Sequence, residues 1–272
     1  MIRLAVRCSP AVADQVLAEL LQLAPGGVEE ERGGELVEYA IYGAAGELPD
    51  LGELRAAVGD ELVEVAGEEI PDDWADRWRD FHEPILVGGR VLVRPSWLDG
   101  GGSAAAVEVV IDPGQAFGTG AHPTTRMCIE LLLELADAGE ARGSLMDLGT
   151  GSAVLAITAA KLGFSPVLAV DHEVAAVEAA AANARANGVE IDVDRRNLRK
   201  EASPAARTIV ANLTAPLLKE VAARMTMAPA RMICSGLLER EADEVAAAFA
   251  ARGLVEHRRL GDGDWVGLSL GA

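Results

Sequence analysis

The stretch Ser144–Asp171, SLMDLGTGSAVLAITAAKLGFSPVLAVD, decides the fold. It reads as an apolar strand closing on Asp147, a glycine turn at Gly149 and Gly151, a helix from about Ser152 to Leu162, and a second apolar strand ending at Asp171. Elements in that order form a parallel βαβ crossover, which brings the turn and the second carboxylate together at the carboxyl edge of a sheet, where ligands bind. The two glycines let the backbone approach a ligand closely and leave the helix N-terminus behind them unobstructed. Asp171, ending the next strand, suits the two hydroxyls of a ribose, so the unit asks for a nucleoside. Position 154 is Val, so the third glycine of a dinucleotide GxGxxG turn is missing, which argues against a nicotinamide-dependent oxidoreductase.

At 272 residues the chain is long enough for one substantial α/β domain and a smaller one. Half of its residues are hydrophobic, yet no segment approaches the roughly 20 uninterrupted apolar residues of a membrane span. The N-terminal MIRLAVRCSPAVADQ lacks the basic flank and apolar core of a secretion signal, so a cytoplasmic protein without membrane attachment is expected. The formal charge of −19 argues against direct nucleic-acid binding, because phosphates would be repelled. A cationic protein partner fits that charge better, and solubility alone accounts for it equally well. Cys8, Cys128 and Cys234 stand far apart in no CxxC or CxxH arrangement; they read as small core residues, with no disulfide frame and no metal site indicated.

Residues 1–66 read as a separate small α+β unit. IRLAVRC alternates as a strand, Ser9-Pro10 opens a helix through ADQVLAELLQL, GVEEER and ELVEYAIYG suggest a hairpin, and LGELRAAVG a second helix before ELVEVAG. That order suits a ferredoxin-like sandwich. It carries no His and no glycine loop, which leaves recognition or a purely structural role open to it. Residues 67–105 read as a linker: Trp74, Trp78 and Phe81 recur at i, i+4 and i+7 as the aromatic stripe of a short helix, and VGGRVLVRPSW is a strand after a turn, stopped by Pro95.

The third region, residues 106–272, opens with the strand VEVVI and runs into DPGQAFGTGAHPTTRMCIELLLEL, residues 112–135. Gly114, Gly118 and Gly120 make a mobile loop with Phe117 as its one large apolar residue, a pattern that suits a lid over a cofactor. Pro123-Thr124-Thr125 then starts an amphipathic helix, where a threonine hydroxyl caps free N–H groups or meets a ligand. Past Asp171 helices and strands alternate to a closing antiparallel hairpin, LVEHRRL and DWVGLSL across a GDGD turn. Asn212, in ANLTAP, ends the fourth strand and points at the same edge as Gly149 and Asp171.

An acidic residue two positions before a GxG turn, as Asp147 is here, looks like the S-adenosylmethionine site of class I methyltransferases. More specifically, the chain resembles the ribosomal-protein-L-eleven lysine methyltransferases, the PrmA family. AFGTGAHPTT, Ala116–Thr125, is the most specific match; beside it stand DDWADRWRDFHEPILVGGRVLVRPSW, DLGTGSAVLAI, NARANGV, ANLTAPL, SGLL and DWVGLSL. The likeness runs from Asp72 to the end of the chain, while residues 1–65 match only in predicted shape and length.

The resemblance implies an α/β fold, a seven-stranded class I methyltransferase (Rossmann-like) domain with a small N-terminal ferredoxin-like domain that holds the substrate. It implies S-adenosyl-L-methionine as cofactor and methyl transfer to lysine side-chain amines and the N-terminal amine of ribosomal protein L-eleven, with a monomer as the expected state. Carried over residue by residue, the cofactor contacts fall at Thr125, Gly149, Asp171 and Asn212, with Phe117 and Gly151 lining the same site and Asn212 also aiming the amine. Ala153 stands where the family usually has glycine and is expected in the first turn of the helix; His172-Glu173-Val174 replaces the commoner Ile-Asp-Pro. Nucleobase and glutamine methyltransferases typically show Asn-Pro-Pro-Tyr where this chain has Asn212-Leu213-Thr214-Ala215, so those substrates are not expected. Two alternatives stay open: a class I methyltransferase acting on lysines of another protein, and a noncatalytic module that aids ribosome assembly.

Overall fold

The structure, a computed structural model, describes residues 2–13, 16, 17, 20, 28–33, 36–43, 62–69, 83–98, 105–112 and 120–272. The aromatic stripe of Trp74, Trp78 and Phe81 and the loop residues Gly114, Phe117 and Gly118 lie outside the described residues. The chain divides into two compact units, the first built on residues 1–82 and the second on residues 83–114 and 118–272.

The first unit contains strands β1 (Ile2–Cys8), β2 (Glu29–Gly33), β3 (Leu36–Gly43) and β4 (Leu62–Glu69), in the antiparallel order β2-β3-β1-β4. Alternation in IRLAVRC dictates the register: Leu4, Val6 and Cys8 lie opposite Ile41, Tyr39 and Val37, so one face is apolar along both strands. Helical residues Ala13, Val16, Leu17 and Leu20, spaced i, i+3, i+4 and i+7, are all buried.

In the second unit, β5 (Ile85–Val87), β6 (Val91–Arg94) and β7 (Val107–Val110) form a small sheet. The chain then builds helix α1 (Pro123–Asp137), β8 (Leu145–Leu148), α2 (Val154–Leu162), β9 (Val167–Asp171), α3 (Val174–Ala186) and β10 (Asp192–Arg195). It finishes with β11 (Thr208–Asn212), α4 (Ala215–Arg224), β12 (Arg231–Leu238), α5 (Glu239–Ala250), β13 (Val255–Asp262) and β14 (Trp265–Gly271). The large sheet has seven strands in the order β10-β9-β8-β11-β12-β14-β13, all parallel except β14, which is antiparallel to both its neighbours. This is the seven-stranded class I methyltransferase architecture.

Because helices cover both faces, the central strands read as continuous apolar runs. Every residue of β8, LMDL, is buried. Leu145 joins a core with Val93 and Val109 of the small sheet, Cys128, Ile129 and Leu132 of α1, and Leu155 and Ile157 of α2. On the opposite face Met146 and Leu148 pack with Ile209, Leu218, Met232, Val245, Phe249 and Leu268. Each such side chain contributes roughly 1.5–3 kcal/mol when removed from water. Strand β8 is flanked by β9 on one side and β11 on the other. The order of the chain reverses there, which opens a crevice beyond the carboxyl ends of β8 and β11.

Candidate functional site

The turn after β8 fills one wall of that crevice. Gly149 takes φ +69°. Its N–H and that of Thr150 both donate to the carbonyl of Val170, at 2.9 and 3.0 Å, fastening the turn to the end of β9. A Cβ on Gly149 would fall 2.4 Å from Cδ2 of Leu213, the residue just past β11, so the missing side chain is what lets the β8 and β11 rims meet.

Two carboxyl groups grip the same turn from below. Asp171 Oδ2 accepts from the Gly151 N–H at 3.0 Å, and its Oδ1 accepts from the Glu173 N–H at 3.1 Å, with Nδ1 of the exposed His172 3.3 Å away. Asp147 is only 1% exposed. Its Oδ2 accepts from the Thr150 hydroxyl at 2.6 Å and the Ala156 N–H at 3.2 Å, whereas its Oδ1 is buried with no hydrogen-bond partner. Burial pushes the Asp147 carboxyl up to about 7; the bonds from Thr150 and Ala156 pull it down, and the charge of Asp171 raises it again.

Ala153 is not in the first turn of the helix, as the sequence suggests, but is the N-cap of α2, fully buried at φ +66°. The left-handed backbone there explains why glycine is the easier residue at this place. Behind the turn, Asn183 Nδ2 donates to the Ser152 carbonyl at 2.9 Å. One helical turn later Asn187 brackets Val110, accepting from its N–H at 2.9 Å and donating to its carbonyl at 2.6 Å. The motif NARANGV thus anchors the end of β7 to the helix behind the turn. The residue pattern that signals it is a pair of amides four apart in an alanine-rich helix.

The opposite wall comes from α1 and β11. Thr125 is buried in the first turn of α1, and its hydroxyl accepts from Asn212 Nδ2 at 3.2 Å. Neither Thr124 nor Thr125 is the cap; that is His122, whose Nδ1 accepts from the Thr124 N–H at 3.4 Å and lies 2.7 Å from the Thr124 hydroxyl. The imidazole sits edge-on to Trp265 with ring centroids 4.8 Å apart. Burial drives its pKa down to about 4, with the nearby Arg126 guanidinium adding to the effect. Leu213 continues the rim, its N–H donating to the Ser235 carbonyl at 3.0 Å. Gly236 takes φ +83° directly against it: a Cβ there would fall 2.5 Å from the Leu213 carbonyl oxygen.

Of the residues singled out in the sequence, Gly149, Gly151 and Asp171 are therefore linked at one wall of the crevice and Thr125 and Asn212 at the other; Phe117 is outside the described residues. Sequence reasoning did not single out Asn183, His122 or Gly236 for the site. Cys8, Cys128 and Cys234 are buried, as expected of small core residues.

The family model for Ribosomal protein L11 methyltransferase (PrmA) matches residues 48–271. A Ribosomal protein L11 methyltransferase of Pelotomaculum thermopropionicum is 38% identical over 203 residues, covering 73% of this chain and 65% of the relative. One from Symbiobacterium thermophilum is 33% identical over 296 residues, 97% of this chain and 96% of the relative. The crystal structure of ribosomal protein L11 methylase from Lactobacillus delbrueckii subsp. bulgaricus superposes with a TM-score of 0.61 at 28% identity, covering 69% of this chain and 97% of that one. The match to the Pelotomaculum relative and to that of Heliobacterium modesticaldum spans just under two thirds of their own length, 65% and 63%. With a family match across most of its length and a relative aligned nearly end to end, the chain belongs to the Ribosomal protein L11 methyltransferase (PrmA) family.

Proposed function

We propose that the protein transfers methyl groups from S-adenosyl-L-methionine to lysine side-chain amines and the N-terminal amine of ribosomal protein L11. The observation that carries this reading is the Gly149–Gly151 turn at the switch point, gripped by Asp147 and Asp171 and faced by the Thr125–Asn212 pair. The residues fit the cofactor: the turn presents no side chain to the rim except that of Thr150, which Asp147 holds back. Among the described residues no Lys or Arg is paired with either carboxyl. Gly149 and Gly151 would hold the methionine portion, Asp171 the ribose hydroxyls, and Thr125 and Asn212 the side toward the substrate. Phe117 belongs to the same proposed set on the strength of the AFGTGAHPTT motif.

The bound cofactor supplies an electrophilic methyl on a sulfonium. The chain supplies the rest: exclusion of water, a neutral amine and alignment. A lysine amine has a solution pKa of about 10.4, and desolvation in the crevice favours its neutral form. Asn212 Nδ2 is committed to Thr125, which leaves its carbonyl oxygen, with the neighbouring backbone carbonyls, to accept the amine's hydrogens and direct the lone pair. Alignment of this kind contributes up to roughly 7–11 kcal/mol in well-oriented reactions. Residues 1–66, read as a ferredoxin-like domain, would hold the ribosomal protein, with residues 67–105 connecting it to the transferase domain of residues 106–272. A cytoplasmic monomer that does not bind nucleic acid completes the reading.

The test is incubation of the full chain with methyl-labelled cofactor and a total ribosomal-protein extract, followed by mass spectrometry. Label on lysines and the N-terminus of L11 supports the proposal. Label on another protein's lysines transfers the same chemistry to a different substrate, and cofactor binding without turnover points to an assembly module.

A further inference from the structure

We infer that His122 is a positioning residue of the transfer reaction: it fixes the first turn of α1, and with it the Thr125 hydroxyl, against Asn212, and the hairpin turn between β13 and β14 braces it in place. Its effect on turnover rests on the proposed reaction; its effect on the Thr125–Asn212 hydrogen bond does not.

Thr125 meets Asn212 from the first turn of α1, so the pair exists only while the helix is wound to its start. The opening N–H groups of a helix fray unless they find acceptors. Pro123, the first helical residue, has no N–H to satisfy. The next three N–H groups all go to His122. That of Thr124 donates to the ring Nδ1 at 3.4 Å, and those of Thr125 and Arg126 donate to the backbone carbonyl at 3.1 and 3.2 Å. The Thr124 hydroxyl lies 2.7 Å from the same ring nitrogen, a second hold on the residue beside Thr125. Burial keeps the ring neutral, and a neutral imidazole has the lone pair that a cap needs.

The ring in turn is held from outside the helix. Buried Trp265, at the start of β14, meets it edge-on at 4.8 Å and 73°. Across the hairpin the register partner of Trp265 is Asp262, whose Oδ2 pairs with Arg126 Nη2 at 2.6 Å. Nη1 of that guanidinium donates to the Ala121 carbonyl at 2.9 Å, so the chain is gripped on both sides of the cap. Gly267 lets α1 approach β14 closely, since a Cβ there would fall 3.0 Å from Met127 Cβ. The hairpin turn is itself fastened to the start of α5, where the Glu239 N–H donates to the Asp264 carbonyl at 2.9 Å. A Ser or Asn at position 122 would cap the helix as well but would give Trp265 no ring to pack on. Histidine does both, which joins the hairpin through Thr125 to the rim of β11.

Heteronuclear NMR on the isotope-labelled full chain tests this, reading the side-chain amide signal of Asn212, assigned by its loss in Asn212→Ala. In His122→Ala, which removes cap and ring, the signal should move towards its position in Thr125→Val. In His122→Asn, which restores a cap but no ring, it should move partway. A signal unmoved in His122→Ala overturns the inference; should that variant fail to fold, a signal left at the wild-type position in His122→Asn does the same. Methyl transfer gives the second readout. His122→Ala should lower turnover roughly tenfold with a smaller change in the KM for cofactor. In a Thr125→Val background the same substitution should add little, because the hydroxyl it positions is gone. Equal losses in both backgrounds point to a general weakening of the fold and overturn the inference. Absence of methyl transfer by the wild-type protein overturns the proposed function and leaves the Asn212 signal to decide this one.

Discussion

Asn212 Nδ2 donates to the hydroxyl of Thr125, 87 residues earlier, at 3.2 Å, and so ties the carboxyl end of β11 to the first turn of α1. Thr125→Val keeps the volume and removes the acceptor. Turnover should fall roughly tenfold, about 1.4 kcal/mol, with a smaller change in cofactor affinity. Asn212→Ala should lower turnover further, and the double variant should lie closer to Asn212→Ala than to the sum of the two. A coupling of about 1 kcal/mol in that cycle is the measurement that checks a shared role.

Asp171→Ala removes the acceptor of the Gly151 and Glu173 N–H groups together with the ribose partner. Calorimetry should show cofactor affinity weakened by about 1.5–3 kcal/mol for each charged hydrogen bond lost. Unchanged affinity would detach Asp171 from the site.

Gly236→Ala places a methyl 2.5 Å from the Leu213 carbonyl oxygen on a backbone already at φ +83°. Backbone cannot yield as a side-chain tip can, so the Asn212–Leu213 rim must shift. The expected cost in denaturant unfolding is roughly 1–3 kcal/mol, and turnover should fall by more than that loss explains.

Stability should depend on pH through Asp147. Its folded pKa, about 7, lies above the value near 3.9 of an unfolded aspartate, so the contribution is fully present below pH ~4 and is lost as pH rises through about 7. Three pH units correspond to at most roughly 4 kcal/mol. His122 works in the opposite sense: held near 4, it contributes stability above about 6.5 that is lost on acidification towards 4. The difference between wild type and Asp147→Asn isolates the carboxyl, and urea midpoints for the Asn variant should gain on wild type between pH 4 and about pH 7 and level off above.

Ala153 gives a further check on the turn. Replacing it with Gly relieves about 1–2 kcal/mol of left-handed strain, loses a buried methyl worth about 0.8, and gives the unfolded chain more freedom, about 0.4–1. The net change should stay within about 1 kcal/mol. Ala153→Val, with a branched side chain at φ +66° in a fully buried place, should cost more than about 2 kcal/mol in the same unfolding measurement.

The fold was legible because its central strands are apolar on both faces and each ends on a residue of a different kind. LMDL into Gly149, VLAVD ending at Asp171 and TIVAN ending at Asn212 are the ends of β8, β9 and β11. What escaped was set by partners distant in sequence. Nothing in SGLL says that Gly236 must clear a carbonyl 23 positions earlier, a constraint that exists only once β11 and β12 lie side by side. His122 was hidden because two threonines follow it and threonine is the commoner cap. Strand β5, three residues long, is too short to show a period. The sequence places Asp147 at the end of a strand, but its unpartnered oxygen follows only from the positions of the donors around it.

The placement of β14 between β12 and β13, although it follows β13 in the chain, has a consequence for biosynthesis. A nascent chain that has emerged only as far as Asp262 leaves the hydrogen-bonding edge of β12 bare, and β13 has nothing to pair with. During that interval Met232 and Cys234 sit on an open edge of the kind that recruits other chains, and the arrival of Trp265–Gly271 closes it.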